Sequence, residues 1–471
     1  MSFVSMSFLW IFLPISLILY FFADNKYKNL ILVLASLLFY AWGQTSAFYL
    51  LILLILINYL FGFLITKKYK NKKYSKYLLI LGIIINLLPL IYFKYSNFII
   101  LNINRLLHTN LNLLKLTLPI GISFFIFSNI SYLIDIYRKD AKLEKNIINF
   151  ALYVSFFPKL TMGPIEQYKN FSKQIKTRKM TIDSFYEGII SFGYGIFKKV
   201  FISNTLAITV DIIFKANIGS ITQFYAWIGA ICYMLQIYYD FSGYSDMAIG
   251  LGKMFGYDLS KNFDYPYLSS SITEFWRKWH ITLNKWFLSY IYIPLGGNRN
   301  GLKRTIINIL IVFAITGLWH GSSWNFIIWG LFNGLLVVTE RLGLIKKLNS
   351  NKILGHIYTI FMTLIGWVLF RSEGIKNAII FLKKMFIPSN IDNYSRLDIY
   401  QIMSNKTIFV IICGILFCGF IQYLFKNSNK LSAIYIKYKE YLEPLVVILF
   451  IIISIFSIVS ESYNSFIYNQ F

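Results

Sequence analysis

Four histidines are spread through 471 residues, and one of them, His320, sits in the stretch "FAITGLWHGSSWNFIIWGLFNG" (313–334), with no charged residue near it. An ionisable ring in so apolar a setting costs free energy unless it faces a cavity or a partner, which makes His320 the first functional candidate. Its flanks are small, with Gly317 one helical turn back and Gly321 adjacent, and Trp319 and Asn325 lie in the same stretch. Small flanks predict space beside the imidazole through which a ligand approaches; the competing reading is close helix packing through the same glycines.

A second concentration is "ITEFWRKWHITLNKWFLSYIYIPLGGNRNG" (272–301). On one continuous helix Trp276, His280 and Asn284 share a face, and "PLGGNR" then stops the helix, with Arg299 placed either to meet an anion or to anchor at a membrane interface. By itself His280 reads as a hydrogen-bonded structural residue more readily than as a site. In "QIYYDFSGYSDMAIG" (236–250) Asp240 and Asp246 lie with Gln236 and Ser242 inside an apolar run. Carboxylates there face protein or water rather than lipid, as a polar pathway or as interhelical hydrogen bonds. Pro158, Gly163 and Pro164 break "FFPKLTMGPIEQY" (156–168), predicting a re-entrant or kinked segment. His108 and His356 fall near span ends and read as surface residues, and the three cysteines, Cys232, Cys413 and Cys418, lie in apolar runs without metal-ligand spacing, so no metal site is expected.

The elements that must position these groups are membrane helices. Residues are 57% hydrophobic and 14% charged, far from the roughly one quarter charged that a soluble domain carries. Apolar runs recur near 8–23, 29–43, 46–66, 77–93, 117–137, 185–213, 223–250, 305–319, 323–340, 353–370, 407–425 and 443–460. The expectation is an all-α polytopic membrane protein of about eleven spans, with 1–471 forming a single domain. The first run is not read as a removable signal peptide, because no positive charge precedes it. Lysines follow the first and third runs, at Lys26, Lys28 and from Lys67 to Lys76, and "RKDAKLEK" (138–145) follows the fifth. The positive-inside rule puts those loops in the cytoplasm and the N-terminus outside. Basic loops beside anionic lipid also account for the net charge of +26, and nucleic acid is set aside as a partner.

Five stretches in order, "LPIGISFFIFSNISYLIDIYR" (118–138), "FFPKLTMGPIEQY" (156–168), "YYDFSGYSDMAIGLGKMFGY" (238–257), "FWRKWHITLNKWFLSYIYIPLGGNR" (275–299) and "GLWHGSSWNFIIWGLFNG" (317–334), resemble the signatures of the membrane-bound O-acyltransferases. The likeness is greatest to the bacterial branch with the membrane subunits of alginate and peptidoglycan O-acetylation. It covers roughly residues 3–390, with a variable region at about 390–440 and a C-terminal helix and tail at 443–471. It implies a ring of tilted helices around a central funnel or tunnel, with His320 matching the near-invariant family histidine as general base and His280 matching a second one. Asp240, Trp276, Arg299, Trp319 and Asn325 are then expected to line the tunnel or position substrate. The tail "FIYNQF" (466–471) resembles the acyl-carrying motif of a small peptide in D-alanylation systems, so Tyr468 is either an acyl relay or an aromatic anchor.

What the resemblance implies is acetyl transfer from cytoplasmic acetyl-coenzyme A, bound as donor rather than as a permanent cofactor, for O-acetylation of an envelope polysaccharide at a bacterial cytoplasmic membrane. An extracytoplasmic esterase-like O-acetyltransferase is the expected partner. D-alanyl transfer from a carrier protein to teichoic acid is the alternative within the family, and a glycolipid flippase or transporter is the alternative of another class.

Overall fold

In the computed structural model, which describes residues 1–388 and 402–460, every regular element is a helix. Lipid leaves no water for exposed backbone groups, and a helix satisfies them within one segment. Among the described residues seven helices are long and apolar enough to cross a membrane: Thr45–Lys67, Lys72–Leu107, Gly301–His320, Trp324–Ser350, Lys352–Arg371, Asn405–Phe425 and Asn429–Ser460. Two shorter apolar helices, Phe8–Phe22 and Lys28–Ala41, precede them. The chain is thus a multi-pass membrane protein.

The chain divides into two compact units, 1–192 with 247–260, and 193–246 with 261–471. In the first, α1 (Thr45–Lys67) and α2 (Lys72–Leu90) are joined by a reciprocal amide pair, Asn58 to Asn86 at 2.9 Å and back at 2.7 Å. Both side chains are buried, which is the interhelical polar bonding that apolar surroundings favour. Beside them α3 (Ile122–Arg138) is buried from Ile122 through Ile136. The broken segment follows α4 (Ile147–Ser155). Phe156 leaves the helical region at ψ 109°, one turn re-forms over Phe157–Leu160, and non-helical backbone runs to Gln167. All residues from 156 to 168 are buried. That backbone is held by protein groups: the Tyr153 hydroxyl donates to the Glu166 carbonyl at 2.9 Å, and the Ser260 amide donates to the Glu166 carboxylate at 2.6 Å.

In the second unit α5 (Gln223–Met254), of which residues up to Asp246 belong here, lies in an aromatic core with Phe263, Tyr267, Phe275, Trp276, Trp279, Trp329, Trp367 and Phe370. Two short helices, α6 (Ile272–Lys278) and α7 (Ile281–Phe287), lead to the hairpin of α8 (Gly301–His320) and α9 (Trp324–Thr339), against which α10 (Lys352–Arg371) packs.

Candidate functional site

His320 is the last residue of α8. Gly321 is extended (φ −166°, ψ 157°), and α9 restarts at Trp324 after a short turn, so the imidazole sits at the closed end of a helical hairpin. The glycines do not open space beside it, contrary to the expectation from their size. A Cβ on Gly317 would collide with the Phe326 carbonyl oxygen, one on Gly321 with the Phe326 ring, and one on Gly330 with the Phe313 carbonyl oxygen. The small residues let the two backbones touch, and Phe326 fills the volume that a ligand was expected to use.

His320 is 5% exposed, with aromatic rings on several sides. Its centroid lies 4.7 Å from Trp319, 5.0 Å from Trp329 and 5.2 Å from Phe370, each ring at a steep angle. The Trp319 ring is also 5.9 Å from that of His280, so one indole bridges the two imidazoles. Trp276 approaches from α6, 5.6 Å from Trp329. Asn325 is buried in the first turn of α9, where its amide donates to the Ser372 carbonyl at 2.6 Å and ties the hairpin to the end of α10.

The continuous helix expected through Trp276 and His280 is broken. Helix α6 ends at Lys278, Trp279 is extended, and His280 itself adopts the left-handed conformation (φ 44°, ψ 53°) that begins α7. Left-handed backbone at a residue with a Cβ is uncommon and persists where surrounding bonds over-determine it. Here they do. The Asn284 amide donates to the carbonyl oxygens of Trp276 and Trp279, closing the end of α6. The amide of Ile281 donates to the Asn262 carbonyl at 2.9 Å. At the other end of α6 the buried carboxylate of Glu340 accepts from the amides of Ile272 at 2.6 Å and Thr273 at 2.8 Å and from the Thr273 hydroxyl at 2.6 Å. Helix N-termini leave such donors unmet, and a carboxylate there is favoured by the dipole as well.

His280 is 1% exposed, its ring edge-on to Phe241 at 4.6 Å. Burial pushes its pKa down to about 3, so the imidazole is neutral at physiological pH. Its Nδ1 lies 3.1 Å from Asn262 Oδ1. Its Nε2, like Trp276 Nε1, is buried with no hydrogen-bond partner among the described residues.

Asp240 is not an open carboxylate. It forms a buried ion pair with Lys199 and accepts from the Ser203 hydroxyl at 3.2 Å, while Asp246 pairs with Lys198 at 2.6 Å in a half-buried position. Sequence reasoning passed over Lys199 because it lies inside the run 185–213 without a carboxylate nearby in sequence, its partner being 41 residues away. Asn262, Phe370 and Glu340 were missed because their partners are likewise distant in sequence, and Trp329, although in the same stretch as His320, carried no mark that set it apart from the other tryptophans there. Arg299 is not brought to the histidines: it is exposed beside the start of α8, and the 20 residues of that helix put about 30 Å between its ends. Tyr468 lies outside the described residues.

The arrangement offers neutral imidazole, indole donors and an apolar surround, and burial of this kind suits proton transfer from a hydroxyl better than charge binding. The profile of the membrane-bound O-acyltransferase family matches residues 37–369. A probable alginate O-acetylase of Pseudomonas putida is 37% identical over 100% of both chains. A peptidoglycan O-acetyltransferase of Helicobacter pylori is 36% identical over 80% of this chain and 78% of its own. A teichoic acid D-alanyltransferase of Bacillus subtilis is 26% identical over 65% of this chain and 80% of its own.

Proposed function

Because the chain belongs to the membrane-bound O-acyltransferase family, we propose that it takes an acetyl group from acetyl-coenzyme A on the cytoplasmic side and passes it on for O-acetylation of an extracytoplasmic envelope polysaccharide. The observation that carries this reading is the end-to-end similarity to an alginate O-acetylase, joined to the placement of His320 in a buried aromatic cage at a hairpin end. The D-alanyltransferase relative is less similar and over less of the chain. In this reading His320 takes the proton of the attacking hydroxyl, the oxygen bonds to the thioester carbonyl carbon, the carbon–sulfur bond breaks, and the thiolate leaves with that proton. Trp319, Trp329 and Phe370 exclude water, which would otherwise hydrolyse the thioester.

The sidedness follows from charge. Arg299, Lys303, Arg304, Arg341, Lys346, Lys347 and Lys352 gather at one end of α8, α9 and α10, whereas the His320 end carries Arg371, Glu373 and Lys376. By the positive-inside rule the first end is cytoplasmic and His320 lies toward the outside, with the N-terminus of the chain outside as well. A separate extracytoplasmic esterase-like transferase then receives the acetyl group and acts on the glycan.

The test is transfer of labelled acetyl from acetyl-coenzyme A in membranes holding the protein, with and without such a partner. Wild-type protein is expected to release coenzyme A and label polysaccharide, and His320→Ala to lose about 10²–10⁴ in rate while remaining inserted. Near-normal transfer by the alanine variant would remove His320 from its role, and transfer of D-alanine but not acetyl would replace the donor.

A further inference from the structure

The side-chain oxygen of Asn262 meets more than one donor. Oδ1 lies 3.2 Å from the Thr282 backbone amide, 2.9 Å from the Thr282 hydroxyl and 3.1 Å from His280 Nδ1, while Nδ2 donates to the Ser245 hydroxyl at 3.1 Å. Oxygen and nitrogen of an amide are ordinarily interchangeable in appearance, and a histidine tautomer next to one is then undecided. Here the Thr282 backbone decides both. An N–H can only donate, so the atom facing it must be the oxygen, and the oxygen can only accept, so the Nδ1 that shares it must carry the proton. The neutral ring has one proton. Nε2 is therefore a bare lone pair, and it is buried without a partner among the described residues.

An acceptor so placed costs free energy that nothing nearby returns, and a catalytic role is among the reasons a native structure keeps such a group. Asn262 is itself fully buried, and its main-chain carbonyl receives the Ile281 amide, so it holds the left-handed turn at His280 as well as the ring. We propose that Asn262 is a positioning residue that fixes His280 as the Nδ1–H tautomer, so that Nε2 accepts a hydrogen bond from a donor neighbouring the hydroxyl destined for acylation and so holds that hydroxyl's oxygen for attack. This rests on the O-acyl-transfer reading. It adds a division of labour: His280 orients the acceptor through a donor that does not react, and His320 removes the proton of the reacting hydroxyl.

The four histidines make the tautomer directly readable. In full-length protein labelled with 15N-histidine and reconstituted in lipid, the resonance pair that disappears in His280→Ala is expected to be that of an Nδ1–H ring. Asn262→Leu, of similar size and without the oxygen, is expected to alter that pair and to lower hydroxyl acylation about 10²-fold or more, with the loss in kcat rather than in KM for the thioester. Asn262→Asp offers the same acceptor to Nδ1–H and Thr282; it is expected to keep the signature and to stay within about tenfold of wild type. An Nε2–H signature for His280 in wild-type protein would overturn the proposal whatever the enzyme does. So would a folded Asn262→Leu protein with wild-type acylation, or an aspartate variant as inactive as the leucine one. Were acetyl transfer absent from wild-type protein while the Nδ1–H signature held, the function would fall and the tautomer assignment would stand.

Discussion

At the scale of single residues, the two imidazoles are set apart by what touches them. His320 meets rings on three neighbours, whereas His280 meets an amide oxygen on one side and aromatic carbon on the other. The low pKa of His280 has a consequence for stability. Its folded-state value, about 3, lies below the usual 6.5, so between those values the unfolded chain binds a proton that the native ring refuses, and stability falls as pH drops through that window. The ceiling is about 1.4 kcal/mol per pH unit. Thermal unfolding in detergent at pH 7, 6, 5 and 4 is expected to show a steeper loss for wild type than for His280→Gln; parallel curves would mean that the ring is protonated in the native state. For activity, His280→Ala is expected to retain more transfer than His320→Ala, since a lost orienting bond costs less than a lost base.

At the scale of elements, the site depends on how α6, α8 and α9 are held. The contact of Gly317 with the Phe326 backbone leaves no room for a methyl, and a carbonyl cannot rotate away as a side chain could. Gly317→Ala is therefore expected to pry the hairpin apart, lowering the melting temperature in detergent and acyl transfer together; unchanged values for both would show that the helices slide freely. Glu340 poses a different problem, because three donors at the start of α6 converge on one buried carboxylate. Glu340→Leu leaves them unmet at about 1–3 kcal/mol each, and Glu340→Gln retains one acceptor oxygen, so the leucine variant is expected to unfold at lower temperature than the glutamine one. Equal stability of the two would shift the role of Glu340 from hydrogen bonding to packing.

At the scale of the whole molecule, the charge asymmetry of the second unit's helices predicts which ends face water on which side. Glu373 is exposed near the His320 end, and Lys303 is exposed in the first turn of α8 at the other. With Cys413 and Cys418 replaced by serine, Glu373→Cys in intact cells is expected to react with a membrane-impermeant maleimide, and Lys303→Cys only after permeabilisation. The reverse pattern would invert the chain and put His320 toward the cytoplasm.

The sequence by itself determined that this is a helical membrane protein, because hydropathy accumulates along the chain and needs no distant partner to be read. It also singled out His320, since an ionisable ring in so apolar a stretch is anomalous wherever the chain folds, whereas His280 read as a structural residue until the family resemblance raised it, and it located the break at 156–168 from proline and glycine, whose backbone limits are local. What the tertiary structure alone decided depends on residues far apart in sequence. Asp240 reads as a lone membrane carboxylate until Lys199 is placed beside it, and Asn262 has no local mark that would tie it to His280, 18 residues on. Helical spacing put Trp276 and His280 on one face, yet the long-range bonds from Asn262 together with those from Asn284 stabilise a left-handed turn that local propensity disfavours. Glycines beside His320 were equally compatible with an open pocket and with touching backbones. Only the position of Phe326 distinguished them, because whether a small residue leaves a space depends on what the rest of the chain puts there.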